Sequence, residues 1–141
     1  MTDIGLYLAL YALAILFGGM VAFSALFAPL VFTQLPMETA AKFIRATFPR
    51  YYLFILATSV AATVGLTVAG VPPHLAIVAA AIALATVHAR WVLMPKINAL
   101  RDAELAGDAA AGAGFKLRHR ISVLVNVVQL LLAGYLLAHL V

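Results

Sequence analysis

The residues best suited to chemistry form a polar stripe on one otherwise apolar helix. They are His119, Ser122, Asn126 and Gln129. Their offsets of 0, 3, 7 and 10 place them within a roughly 80° arc of one helix face, at about 100° per residue. A neutral imidazole can bind a metal or haem iron, and the amides and hydroxyl can hydrogen-bond a polar ligand. Because unsatisfied polar groups are costly in lipid, we expect the stripe to face partner helices or a wet cavity. Its expected partners on neighbouring spans are His88 and either Ser59 or Thr63.

A second histidine, His88, lies near the end of an earlier apolar run and begins the same spacing. Trp91, Pro95 and Asn98 follow it at offsets of 3, 7 and 10. Two interpretations remain open for His88 and His119. Each ring hydrogen-bonds across helices, or the rings bind haem or a metal or transfer a proton.

The composition predicts an all-α integral membrane protein. The chain has 141 residues, of which 66% are hydrophobic and only 10% charged, and its mean hydropathy is +1.11. These values exclude an ordinary soluble domain. At roughly 20 residues per span, the length suits four transmembrane helices in one up-down bundle. The absence of cysteine excludes disulfides and thiolate metal sites.

The chain is predicted to form a single transmembrane domain, residues 1–141, whose apolar runs are separated by proline, glycine and charged residues. The predicted spans cover residues of about 4–32, 50–69, 74–95 and 117–140. Pro36, apolar residues at helical spacing and Pro49 predict an interfacial amphipathic helix over about 36–48, between spans 1 and 2. The Ala- and Gly-rich stretch before span 4 is expected to be a mobile link.

Small residues recur every fourth position in spans 1 and 2, where they predict close helix packing. The predicted packing residues are Gly18, Gly19, Ala22, Ala57, Ala61 and Gly65.

All nine Lys and Arg residues lie in or beside the connections between spans 1 and 2 and between spans 3 and 4. The positive-inside rule then predicts that both connections are cytoplasmic and both termini outside, in the inner (plasma) membrane. Anionic lipid is the expected electrostatic partner, because the aromatic interleaving of nucleic-acid binders is missing. The residues expected at lipid headgroups are Arg50, Tyr51, Tyr52, Arg90, Trp91, Lys116, Arg118 and Arg120. For Arg90, pairing with Asp102 or Glu104 is the alternative to lipid phosphate.

Three stretches together resemble the transmembrane protein 205-like family. They are Phe17-Gly-Gly-Met-Val-Ala-Phe-Ser-Ala-Leu-Phe-Ala-Pro-Leu-Val-Phe32, then Phe48-Pro-Arg-Tyr-Tyr52, then Pro95-Lys-Ile-Asn98 with Arg101-Asp102 and Phe115-Lys-Leu-Arg-His119. The resemblance implies a small four-span membrane protein and little chemistry. A weaker similarity in size and span count extends to four-helix haem proteins of the membrane, but their first-span histidine is missing here.

The sequence contains no recognisable catalytic set. The five acidic residues all lie outside the apolar spans, which disfavours an ion-coupled carrier. The favoured hypothesis is therefore a non-enzymatic helix-packing or accessory subunit, without a cofactor, that associates with itself or with a larger membrane complex. The alternatives are a haem- or metal-binding protein using His88 and His119, and transport of a small solute along the polar stripe.

Overall fold

The computed structural model describes residues 2–141, and within them it contains four long helices and no strand. The helices are α1 (Asp3–Gln34), α2 (Met37–Ala69), α3 (Pro73–Leu105) and α4 (Ala109–Ala138). Each is long and apolar enough to cross a membrane. Each packs on the next, and α4 returns to α1. The predicted four-helix membrane bundle is confirmed.

The two ends of the bundle differ in their chemistry. The basic end carries the α1–α2 and α3–α4 connections, with all nine Lys and Arg residues in or near them. The opposite end, called the terminal end, carries both termini and the tight turn at Gly70, whose φ of 65° requires the left-handed conformation that glycine adopts easily.

At the terminal end the backbones of α1 and α2 touch. A β-carbon added to Gly65 would lie 2.5 Å from the Ala9 backbone nitrogen, and one added to Gly5 would lie 2.5 Å from the Ala69 nitrogen. Only glycine permits this approach, and the neighbouring alanines are fully buried. The contact is an antiparallel version of small-residue packing between membrane helices.

Two π-helical turns stand just before prolines. Phe23–Phe27 in α1 precedes Pro29, and Ala89–Leu93 in α3 precedes Pro95. Proline cannot donate the usual backbone hydrogen bond, and the wider turn re-pairs its neighbours with carbonyls five residues back. The helices therefore continue through both prolines towards the basic end.

The predicted interfacial helix is not a separate element, because α2 runs unbroken from Met37 through Pro49 to Ala69. One face of its first turns packs on α1. Ala40 and Ile44 are buried against Val31 of α1, and this tertiary packing extends the helix beyond the apolar span.

The predicted mobile link before span 4 is also helical, since α4 begins at Ala109. The Asp108 side chain accepts hydrogen bonds from the backbone amides of Ala110 and Ala111 at 3.1 and 3.3 Å. An aspartate at this position stabilises the start of a helix. Gly112 then packs closely on the Glu104 side chain, so the Ala- and Gly-rich turns serve helix contact.

Candidate functional site

Asn126 joins three helices through its side-chain amide. Its Oδ1 accepts a hydrogen bond from the Tyr51 hydroxyl at 2.9 Å, and its Nδ2 donates to the Ser24 hydroxyl at 3.3 Å. Ser24 lies in the π-helical turn of α1. Next to it, the Phe23 ring stacks on Tyr51 with 3.9 Å between centroids. The network links α1, α2 and α4 within the basic half of the bundle.

Gln129, one turn further along α4, links that helix to α3. Its side chain is 2% exposed, and Nε2 donates to the Ile82 carbonyl at 3.1 Å and to the Thr86 hydroxyl at 2.8 Å. Its Oε1 is buried without a partner among residues 2–141. Asn126 and Gln129 therefore make polar contacts with all three other helices.

The partners expected for the stripe were His88 and either Ser59 or Thr63, and this expectation is wrong. Ser59 and Thr63 donate to carbonyls of their own helix. His88 is exposed, because the buried face of α3 passes through Thr86 and Ala89. A residue two positions after Thr86 lies about 200° around the helix from it.

The first half of the stripe lines a cavity of about 50 Å³ at the basic end. Its walls come from α2, α3 and α4 and comprise Arg45, Phe48, Tyr52, Met94, Ile97, Asn98, His119 and Ser122. The Ser122 hydroxyl donates to the His119 carbonyl at 2.9 Å, and the exposed His119 ring stacks on Phe115.

His88 is not part of this cavity, so the structure does not join the two histidines there. No group of three or more His, Cys, Asp or Glu side chains that could hold a metal ion occurs in residues 2–141. A cavity of 50 Å³ is also far smaller than the roughly 150 Å³ that accommodates benzene. It cannot enclose a porphyrin.

Charged side chains at the basic end tie α2 and α3 together. Arg45 donates both guanidinium nitrogens to the Asp102 carboxylate, at 2.6 and 2.9 Å. Arg101 donates to Glu104 within α3 at 2.5 Å. The Arg45 contact is bidentate, which favours one geometry more than a single ion pair does.

Arg90 does not pair with these acids, although Asp102 and Glu104 were its expected partners as alternatives to lipid. Its Nε donates to the Pro49 carbonyl at 3.2 Å, and its guanidinium lies 4.4 Å from the centroid of the Trp91 ring. Arg90 is half-buried, and its bond to the Pro49 carbonyl connects α3 to α2.

Of the residues expected at lipid headgroups, the two tyrosines instead lie inside the bundle. Tyr51 and Tyr52 are only 7% and 6% exposed, because they join an aromatic cluster with Phe23 and Phe48 inside the bundle. Arg118 is half-buried. The remaining members are exposed at the basic end: Arg50, Trp91, Lys116 and Arg120.

The predicted packing residues also divide into two groups. Gly65 meets the backbone of α1, and Gly19 faces the Phe54 ring, which would clash with a β-carbon there. Ala61 is half-buried. The other three are exposed: Gly18, Ala22 and Ala57.

These features define a multi-pass α-helical membrane protein with polar side chains bridging its helices. The sequence matches the family described as a domain of unknown function (DUF4149) over residues 11–105. Because the match covers more than half of the chain, the protein belongs to that family. No curated protein and no solved structure matches it.

Proposed function

We propose that this protein is a non-enzymatic membrane subunit that assembles with further copies of itself. The contact would be the outer face of α1, formed by Tyr11, Ala14, Gly18 and Ala22, all exposed. The observation that carries the proposal is Gly18. It lies inside a helix, yet a β-carbon added there would meet nothing within 4 Å.

Glycine inside a helix is about 1 kcal/mol less favourable than alanine. Elsewhere in α1 the structure shows what offsets that cost, since Gly5 admits the α2 backbone and Gly19 admits the Phe54 ring. Gly18 gains no such contact within the chain. A neighbouring helix packed on it would supply the missing contact, and the alanines four residues to either side leave room for a close approach.

A second copy fits this face better than an unrelated helix. Copies of one membrane protein share the same orientation, so α1 would meet α1 in parallel about a two-fold axis, and every residue would face its own equivalent. Small residues spaced by four are suited to such a parallel contact. The Tyr11 side chain, 65% exposed on the same face, would be covered by the partner.

The test is the mass of the protein in mild detergent, measured by light scattering or native mass spectrometry. Gly18→Leu adds bulk where nothing within the chain obstructs it, so the fold should survive while assembly is lost. Ala81→Leu adds similar bulk on an exposed position of α3 and should leave assembly intact. A strictly monomeric wild type would refute the proposal, as would a Gly18→Leu variant that assembles normally.

We further propose that the protein lies in the plasma membrane with the basic end cytoplasmic and both termini outside. The concentration of all nine Lys and Arg residues at that end supports this orientation. The chain has no cysteine, so single cysteines can be labelled without background. Ala106→Cys should be protected from an impermeant thiol reagent in intact cells, and His74→Cys should react. The reverse pattern would contradict the orientation.

The three sequence stretches named above also support a relationship between this family and the transmembrane protein 205-like proteins. Anionic lipid remains the proposed partner of the basic end, where the exposed arginines and lysines can contact headgroups.

A further inference from the structure

Two adjacent tyrosines of α2 are equally buried but differ in how their hydroxyls are partnered. Tyr51 donates to Asn126. The Tyr52 side chain is 6% exposed, and its hydroxyl has no hydrogen-bond partner among residues 2–141. Tyr52 lines the cavity at the basic end. The hydroxyl is not among the fully enclosed polar atoms that lack a partner, so it is accessible from the cavity and free to donate to a ligand there.

The other polar groups that line the cavity include further hydrogen-bond donors. Asn98 presents an amide, His119 presents ring nitrogens and Arg45 presents its guanidinium group, whose charge is compensated by Asp102. No carboxylate lines the cavity, because Asp102 lies outside it in its bidentate contact with Arg45. Hydrogen-bond donors in a cavity that no carboxylate lines suit an acceptor-rich group.

The size of the cavity selects among acceptor-rich ligands. At about 10–15 Å³ per water, a volume of 50 Å³ corresponds to about three to five water molecules. An aromatic ring, a quinone head or a nucleotide base would need a larger space. A phosphate group, with one phosphorus and four oxygens, has a suitable size.

We propose that the cavity formed by Tyr52, Asn98, His119 and Arg45 binds a phosphate group. The group could belong to inorganic phosphate or to a phospholipid whose headgroup enters from the basic end, since the recognition chemistry is the same. The proposal does not depend on self-association, because the cavity lies between α2, α3 and α4 and the outer face of α1 takes no part in it.

The test compares Tyr52→Phe with Tyr51→Phe in the full-length protein. Each change removes one hydroxyl from a buried α2 tyrosine, but only the first removes a hydroxyl from the cavity. A hydrogen bond to a charged ligand is strong enough that its loss should weaken binding by about tenfold or more. Tyr51→Phe should leave the affinity within about twofold.

One arm measures binding of inorganic phosphate by calorimetry in detergent. The other exchanges the protein into nanodiscs of phosphatidylglycerol and phosphatidylcholine and measures the phospholipid retained, by native mass spectrometry. Phosphate binding that Tyr52→Phe weakens identifies the free ion as the ligand. Retained phospholipid that Tyr52→Phe removes, without phosphate binding, identifies the headgroup.

The proposal is overturned if neither ligand binds the wild type, if Tyr52→Phe binds normally, or if both tyrosine variants weaken binding equally. Circular dichroism and size-exclusion chromatography establish that the variants are folded. If Tyr52→Phe does not fold, Asn98→Leu takes its place, because Asn98 is only half-buried and removing its amide disturbs the helix packing less. Normal binding by a folded Asn98→Leu would then be the refuting result.

Discussion

Replacing Gly65 by alanine tests the contact between the α1 and α2 backbones. The new β-carbon would lie 2.5 Å from the Ala9 nitrogen and 2.9 Å from the Gly5 carbonyl oxygen. Both obstacles are backbone atoms, so no side chain can rotate away, and the helices must separate by about 1 Å. Overpacking of this kind costs about 1–3 kcal/mol, and the gain in helix propensity returns about 1 kcal/mol. We expect a net loss of about 1 kcal/mol, or roughly a fivefold change in the unfolding equilibrium.

Reversible unfolding in mixed micelles of SDS and a mild detergent measures this difference. Gly18→Ala is the matched control, because it gives the same gain in helix propensity at a position with open space. It should stabilise the isolated protein by up to about 1 kcal/mol, so the two variants should differ by about 2 kcal/mol. Equal stabilities for the two variants would show that α1 and α2 do not meet through Gly65.

The remaining predictions use the same unfolding assay. Asn126→Leu should lose about 1–2 kcal/mol, since two interhelical hydrogen bonds disappear at roughly 0.6 kcal/mol each or somewhat more, while Val127→Leu on the exposed side should change stability little. Gln129→Leu should cost less than Asn126→Leu, because it also removes the buried Oε1 that has no partner; a larger loss would contradict this reasoning. Asp102→Asn should change stability little, because its ion pair with Arg45 is about half exposed and screened by solvent.

The number and kind of helices could be predicted because, in a chain this apolar, a run of about 20 apolar residues can form little other than a transmembrane helix. Their boundaries at the basic end could not. Pro49 is typical of a helix end, and nothing local to it reveals that Ile44 will be buried against α1. The Ala- and Gly-rich turns of α4 likewise depend on a capping aspartate and on contact with Glu104, which lies in a different helix.

The stripe of α4 was recognisable because it requires only the helical period, whereas its partners depend on the rotation of the other helices. Ser24 lies in a π-helical turn, which shifts the face of α1 relative to a regular 3.6-residue repeat. His88 stands immediately before the second such turn. The residues after His88 therefore do not follow the regular 3.6-residue repeat. The signal available in the sequence for both turns was a proline six residues after the turn begins: Pro29 follows Phe23, and Pro95 follows Ala89.

The size of the side chains at the contact between α1 and α2 differs between the two ends of the bundle. The spacing of two packed helices follows from the residues at their contact. At the terminal end these residues are Gly5 and Gly65, and the backbones touch. Towards the basic end the rings of Phe23, Phe48 and Tyr51 occupy the contact, and they require a wider spacing. The cavity between α2, α3 and α4 lies at this same end, so polar side chains of three helices meet where rings rather than glycines separate α1 from α2.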